Sequence, residues 1–346
     1  MADRPFSPSW LDRTMDAVRR LPVPAVVVYA VVGIALAAAR TFVGWHDGSY
    51  PVGTVLPVHL LDGIVPLYFV AAIHYLDDLA SRALDDYRAK LARDAPSLEI
   101  LRYRVTTMPS VPALVLGIIG FVVGAVYLPL LLSPVDFAAS RYFTSPTAIV
   151  LDTFLSALSG LFMVLFGYHT VHQLRTISRI YTRDTVVSVF DIGPLFALAR
   201  VTAVTTIAML GYCYVYIAFY TEWQINSASN VVLLAGLVLL ALLTFVVPLW
   251  GAHRLLQRDK TLRVSAIGRR LEAATDRLHE RADQGLYDDT IGHIDTAVEG
   301  LIRERDLVAK SKTWPWEPGA LRAVATALLL PVVIWLITRI LERIGI

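Results

Sequence analysis

The chain has 346 residues, of which 56% are hydrophobic and only 17% are charged. Ordinary soluble domains are about 45–50% apolar and about 25% charged. That excess is too large for a folded core alone and excludes a wholly soluble protein. The formal net charge of +2 gives no electrostatic reason to expect nucleic acid as a partner.

Seven stretches of mostly apolar residues are each long enough for a helix that crosses a hydrocarbon core of ~30 Å. They contain only six charged residues in total. We therefore predict an all-α fold, a polytopic membrane helix bundle with about seven transmembrane helices and long cytoplasmic helical extensions. The predicted spans are 23–43, 56–76, 111–132, 148–169, 200–220, 231–250 and 321–341.

The basic residues indicate the orientation, because Lys and Arg accumulate on the cytoplasmic side of a membrane. They gather in segments 1–22, 77–107, 173–199 and 252–313, whereas the connections on the other side hold Arg141 alone. We predict a multi-pass protein of the cell (inner) membrane with a cytoplasmic N-terminus and an extracytoplasmic C-terminus. Arg40 would then lie near the outer face, where we expect it to snorkel from its helix end.

The same pattern divides the chain into four parts. A cytoplasmic N-terminal segment (1–22) precedes a six-helix transmembrane bundle (23–251) with inner helical extensions at 77–107 and 173–199. A cytoplasmic helical hairpin (252–313) and a C-terminal transmembrane helix (314–346) follow. The second span is expected to continue as a helix until 94–97, and 186–196 to lie at the interface or form a buried turn.

The hairpin has a first arm that ends at 283–285 and a second that begins at 288 or 289. The apolar seam of the second arm repeats at heptad-like spacing, which fits either packing of the two arms on each other or an oligomeric bundle. The seam residues are Ile291, Ile294, Val298, Leu301 and Val308.

One acid lies well inside a span. Asp62 is six positions into the second span, where a carboxylate costs about 2.5–3.5 kcal/mol on insertion scales. His59 precedes it by three residues and shares its helix face. The pair could relay protons, bind an ion, or stabilise a packed core. Asp152, near the outer end of the fourth span, could join Asp62 in an acidic vestibule or simply be hydrated.

Three imidazoles, those of His74, His169 and His172, fall at one predicted depth near the inner face. They are candidates for pH sensing or metal binding. No Cys and no carboxylate at ligand spacing completes that set, so we expect no metal and no cofactor.

Polar side chains also mark two spans as pore candidates. Tyr212 and Tyr216 stand four residues apart in the fifth span, which is also rich in Thr, and the last span contains Thr326. A stripe of this kind lines a pore or packs against neighbouring helices through its hydroxyl groups.

The layout of seven helices, a cytoplasmic N-terminus, short outer loops and long inner helices resembles the insect gustatory and odorant receptor family. The resemblance covers layout only, because the short signature of that family in its last helix is absent from 321–341. It implies a ligand-gated cation channel in which the last helix lines the pore of a tetramer.

Catalysis has no support, because the chain lacks a phosphate-binding Gly-rich loop, a nucleophile elbow, HExxH and Cys-rich metal patterns. We expect a homo-oligomeric ion channel or channel-like sensor, not an enzyme, in contact with the lipid bilayer and with an ion or small-molecule ligand. One alternative is a proton-coupled secondary transporter that uses His59 and Asp62. Another is a non-transporting membrane scaffold or signalling adaptor that acts through the hairpin.

Overall fold

The computed structural model describes residues 4–131, 145–185, 190, 192–219, 228–285, 289–314 and 319–329. Within these ranges the chain is helical and forms no strand; isolated bridges join Pro8 to Pro109 and Leu91 to Thr185. The all-α prediction is confirmed for this part of the chain.

The helices are numbered here in chain order. They are α1 (Trp10–Arg19), α2 (Ala25–His46), α3 (Pro57–Tyr87), α4 (Leu98–Thr106), α5 (Ser110–Leu131), α6 (Pro146–Arg183), α7 (Gly193–Phe219), α8 (Ala228–Asp283), α9 (Asp289–Lys310) and α10 (Gly319–Leu329).

Five of these helices, α2, α3, α6, α7 and α8, are long and apolar enough to cross a membrane. The stretches Ser110–Val126 of α5 and Gly319–Leu329 of α10 are also apolar but are only 10–17 residues long. The predicted count of seven spans is therefore not confirmed, and residues 330–341 of the last predicted span lie outside the described residues. Residues 186–189 and 191 of the predicted interfacial segment lie outside them as well.

The helices α3, α6 and α8 continue beyond their apolar spans and pack together at one end of the bundle. We call this end the hairpin end. Tyr87 of α3 and Tyr181 of α6 are fully buried there, with ring centroids 5.8 Å apart. The predicted continuation of α3 to 94–97 is wrong. A 3-10 turn at Arg88–Lys90 ends the helix, and the next residues pair with the end of α6, where Ala92 N donates to Asp184 O over 2.8 Å.

The N-terminal segment contains a helix that the hydrophobic pattern did not predict. Ser9 and Asp12 form a capping box at the start of α1, each bonding the backbone N–H of the other residue. Leu11 and Met15 lie on the buried face of α1. This helix is too short to span a membrane. Because it is amphipathic, its apolar face packs against the bundle.

The hairpin has the predicted ends. Its first arm is the continuation of α8, which stops at Asp283 before Gly285 with φ +71°, a conformation that favours glycine. The second arm, α9, begins at Asp289 and packs against α8. Lys260 Nζ ties the arms together near their base by donating to Ala309 O (2.5 Å) and Ser311 O (3.1 Å).

Glycine allows close contacts between helices. A Cβ at Gly120 of α5 would lie 2.6 Å from Gly160 O of α6, and a Cβ at Gly63 of α3 would lie 2.5 Å from Ala37 N of α2. Such contacts let backbones approach where lipid supplies no hydrophobic drive for helix association.

Candidate functional site

A buried ion pair joins α2 to α6 at the end of the bundle opposite the hairpin. The Arg40 side chain is fully buried, and its Nε and Nη2 donate to the two carboxylate oxygens of Asp152, the second over 2.9 Å. The expectation that Arg40 snorkels to the surface is wrong, as is the expectation of a hydrated Asp152, whose side chain is 10% exposed. Each charge offsets the desolvation of the other.

Tyr50 and His59 extend this ion pair into a network. Arg40 Nη1 donates to the Tyr50 hydroxyl over 3.2 Å, and that oxygen lies 3.0 Å from His59 Nδ1. His59 is 2% exposed. Gly44 leaves the space that the Tyr50 ring occupies, since a Cβ there would overlap the ring. We call Arg40, Asp152, Tyr50 and His59 the outer cluster.

Asp62 stands beside the outer cluster. It is half-buried, and its charge acts on Arg40. The structure does not contain the predicted acidic vestibule of Asp62 and Asp152, because the Asp152 carboxylate is bonded to Arg40. His59 and Asp62 both lie in the first two turns of α3.

The loop that follows α2 is anchored to the start of α6. Burial tends to raise the pKa of Asp47, but hydrogen bonds from Ser145 and Ser49 outweigh it and hold that pKa below its usual value. Ser145 also caps α6 by accepting from Ala148 N over 3.0 Å. Burial raises the pKa of Tyr50, so its hydroxyl keeps its proton and can donate.

A second polar group, the inner cluster, lies deeper toward the hairpin end and consists of Asp12, Asp77, His169, Thr170 and Gln173. His169 Nε2 lies 2.8 Å from Asp77 Oδ1, and both side chains are buried. Gln173 Nε2 donates to Val105 O over 3.3 Å and lies 3.5 Å from the same Asp77 oxygen. The cluster thus joins α3, α4 and α6.

Asp12 brings α1 to the inner cluster. Its Oδ2 accepts from Ser9 N (2.9 Å), Ser9 Oγ (2.7 Å) and Met108 N (3.0 Å). Burial raises the pKa of Asp12, against the opposing effect of those hydrogen bonds and of His169.

The three imidazoles proposed as a group have separate partners. His74 Nδ1 lies 2.9 Å from the Tyr29 hydroxyl, His169 bonds Asp77, and His172 Nε2 lies 3.0 Å from Arg104 O. Among the residues that the structure describes, no group of three or more His, Cys, Asp or Glu side chains is arranged to hold a metal ion. The interpretation of His74, His169 and His172 as a metal site receives no support.

The polar face of α7 is used for packing in the single chain. The hydroxyl of Thr206 donates to Ala241 O of α8 over 3.1 Å, and the buried hydroxyls of Thr202 and Thr205 donate to carbonyls of their own helix. Tyr212 packs on Phe69, with ring centroids 4.9 Å apart. The side chain of Tyr216 lies outside the described residues.

Thr326 differs from the polar residues of α7 because it is exposed. On the opposite side of α10, Val324 is buried, and Ala327 O accepts a hydrogen bond from the Tyr214 hydroxyl.

The sequence patterns did not predict the Arg40–Asp152 ion pair, the contact of Asp77 with His169 or the hydrogen bond from Met108 N to Asp12. Asp77 falls one position beyond the predicted end of the second span, in the predicted cytoplasmic continuation of that helix, where a carboxylate is expected to be hydrated. The Arg40–Asp152 pair joins positions 112 residues apart, so no local spacing could reveal it.

Several apolar helices long enough to cross a bilayer, with the Arg40–Asp152 ion pair buried between two of them, fit a multi-pass membrane protein. Comparison with protein families, with curated proteins and with solved structures finds no match for the chain.

Proposed function

We propose that the protein is a homo-oligomeric membrane channel or channel-like sensor whose copies associate through the hairpin. The observation that carries this proposal is the incomplete burial of the hairpin seam. Val308 at its base is fully buried, but Ile291, Ile294 and Val298 toward its tip are only half-buried. Leu262 on the other arm is 60% exposed. Two helices alone leave this apolar surface for a second copy to cover.

The use of polar groups supports a conduit between copies. The hydroxyls of Thr202, Thr205 and Thr206 on α7 are engaged within the bundle, which favours a path between copies over one inside a single copy. The helix that follows the hairpin supports the same choice. Thr326 is exposed there and stands opposite the buried Val324.

The channel proposal is tested by flux and cysteine accessibility in liposomes. The only native cysteine, Cys213, is buried, so the unaltered protein is the control for a hydrophilic thiol reagent. We expect the protein to pass ions and Thr326→Cys flux to be blocked by the reagent, whereas flux through the unaltered protein continues. Absence of flux at every pH, voltage and ligand, or full flux through labelled Thr326→Cys, would contradict the proposal.

A proton-coupled secondary transporter is the second candidate, and the outer cluster favours it. His59 is buried and hydrogen-bonded within one network that also contains Arg40 and Asp152, and Asp62 lies beside that network. A proton added to any member changes the balance of charge for the others.

The transporter interpretation predicts that Asp62→Asn abolishes pH-dependent uptake in proteoliposomes. Asp86→Asn is the matched control, because Asp86 lies on the same helix and is exposed. Uptake that keeps its pH dependence in Asp62→Asn would remove this candidate.

A further inference from the structure

The inner cluster contains buried polar atoms that have no hydrogen-bond partner. Within the described ranges six side-chain atoms are in that position, and all but Arg102 Nε belong to this cluster. They are Asp12 Oδ1, Asp77 Oδ2, His169 Nδ1, Thr170 Oγ1 and Gln173 Oε1. Buried polar atoms are almost always satisfied by protein, water or an ion, so their concentration at one junction points to a bound species.

The existing bonds determine which atoms remain uncommitted. Asp77 uses Oδ1 toward His169 and keeps Oδ2, and Gln173 uses its amide nitrogen toward Val105 O and Asp77 and keeps its oxygen. Asp12 receives all three of its hydrogen bonds on Oδ2 and keeps Oδ1.

Helix geometry brings the contributors from α6 to one side. His169, Thr170 and Gln173 lie within about 100° of one another around the helix axis, at 100° per residue. Electrostatic interactions of Asp12 with both His169 and Asp77 place α1 at the same junction. Of the five uncommitted atoms, four are oxygens, and these oxygens come from α1, α3 and α6.

The charge of the cluster favours a cation over water alone. Two carboxylates lie in a buried environment, where an unpaired negative charge is expensive. His169 can supply one positive charge against Asp77, and Arg19, whose charge also acts on Asp77, is itself bonded to Asp16 and Asp78. One positive charge balances only one of the two carboxylates. A neutral water molecule would satisfy hydrogen bonds but would leave this charge in place.

We propose that Asp12, Asp77, Thr170 and Gln173 form a binding site for an alkali cation of the Na⁺ class. Carboxylate, amide and hydroxyl oxygens are the ligands that hard cations prefer, whereas soft transition metals prefer sulfur and imidazole. Ca²⁺ takes six to eight oxygens. The four uncommitted side-chain oxygens suit a singly charged ion better.

The test is thermal unfolding of the purified full-length protein in NaCl, KCl, CaCl₂ or choline chloride at equal ionic strength. We expect NaCl to raise the Tm above its value in choline chloride, with saturation as the concentration increases. Thr170→Val and Gln173→Leu each remove one oxygen and keep the net charge. Each variant should need about tenfold more NaCl or higher for the same effect, a factor that corresponds to 1.4 kcal/mol of lost binding.

Thr176→Val is the matched control, because Thr176 is a buried threonine of the same helix whose hydroxyl already donates to His172 O over 2.9 Å. It should keep the NaCl response of the unaltered protein. An identical Tm in NaCl and choline chloride would overturn the proposal in favour of buried water, and stabilisation by CaCl₂ alone would overturn the choice of a monovalent ion. The measurement involves no transport, so its result is independent of the channel proposal.

Discussion

At the scale of single residues, the chain places opposite charges between helices instead of leaving them at the membrane surface. Arg40 and Asp152 share a bidentate contact in which the Arg40 side chain is 1% exposed. A contact of this kind holds two planar groups in a defined orientation. It also makes each partner dependent on the other, because a buried charge without its partner is strongly destabilising.

We expect Arg40→Met or Asp152→Leu alone to lower the free energy of unfolding by about 3–5 kcal/mol. The double variant should recover most of that loss, because neither buried charge remains. Denaturation of the four proteins in detergent gives the coupling energy. Losses that simply add in the double variant would show that the two side chains do not depend on each other.

Asp12 gives a stability effect that depends on pH. Burial raises its pKa above the ordinary value of 3.8, so the folded protein holds this proton more tightly than the unfolded chain. Stability should therefore be greatest at low pH and fall as pH rises from 3.8 through the raised pKa. Asp12→Asn removes the titrating group and should flatten this part of the profile.

The comparison of the unaltered protein with Asp12→Asn is made by thermal unfolding at several pH values in choline chloride without Na⁺. Asp16→Asn is the control, since Asp16 lies on the same helix and its side chain is 58% exposed. If both variants keep the slope of the unaltered protein, Asp12 is not its source.

At the scale of helices, the α5–α6 contact depends on the absence of side chains. Gly120 and Gly124 of α5 face Gly160 of α6, and a Cβ at Gly120 would also lie 2.9 Å from Val164 Cβ. The spacing of four residues between Gly120 and Gly124 is the small-residue pattern typical of membrane helix pairs. Any larger residue must separate the two backbones.

Gly160→Leu should therefore lower the Tm and destabilise the protein by about 1–3 kcal/mol, the usual cost of overpacking. Gly167→Leu on the same helix is the control, because a Cβ there would meet nothing within 4 Å. Thermal unfolding of both variants in one detergent checks the comparison. Equal Tm values would show that the α5–α6 contact tolerates a side chain.

At the scale of the whole molecule, the bundle and the hairpin differ in how completely they bury apolar residues. Residues of α3, α6, α7 and α8 form a continuous core that extends to the base of the hairpin. Along the hairpin, Ile267 is still buried, but Leu262 and the apolar side chains toward the tip are half-buried or exposed. Surface of this kind, away from the apolar spans, is typical of an interface between proteins.

We expect Leu262→Glu to shift the protein toward a smaller assembly, because it places a charge on the exposed apolar surface of α8. Gln257→Glu is the control, an exposed polar residue on the same arm. Native mass spectrometry in detergent measures the assembly of both variants. An unchanged mass for Leu262→Glu would mean that copies do not associate through this surface.

Local sequence patterns predicted helix positions well where an apolar stretch or a terminating glycine defines the helix. The span 23–43 corresponds to α2, and the end of the first hairpin arm at Asp283 was predicted from the glycine that follows it. The end of α3 was not predictable, since it depends on a backbone contact between Ala92 and Asp184. The helix α1 could have been found from Ser9 and Asp12, whose spacing is that of a capping box.

The sequence by itself determined the all-helical class, the main apolar helices and the presence of the hairpin, because these depend on residues close together in the chain. Only the tertiary structure decided which polar side chains pair, since Arg40 meets Asp152 and Asp77 meets His169 across 112 and 92 positions. Asp62, the most conspicuous acid in the sequence, proved to stand beside an ion pair, whereas Asp77 proved to be the fully buried one. A side chain buried between helices takes its partner from whichever helix packs there, and packing is a property of the whole fold.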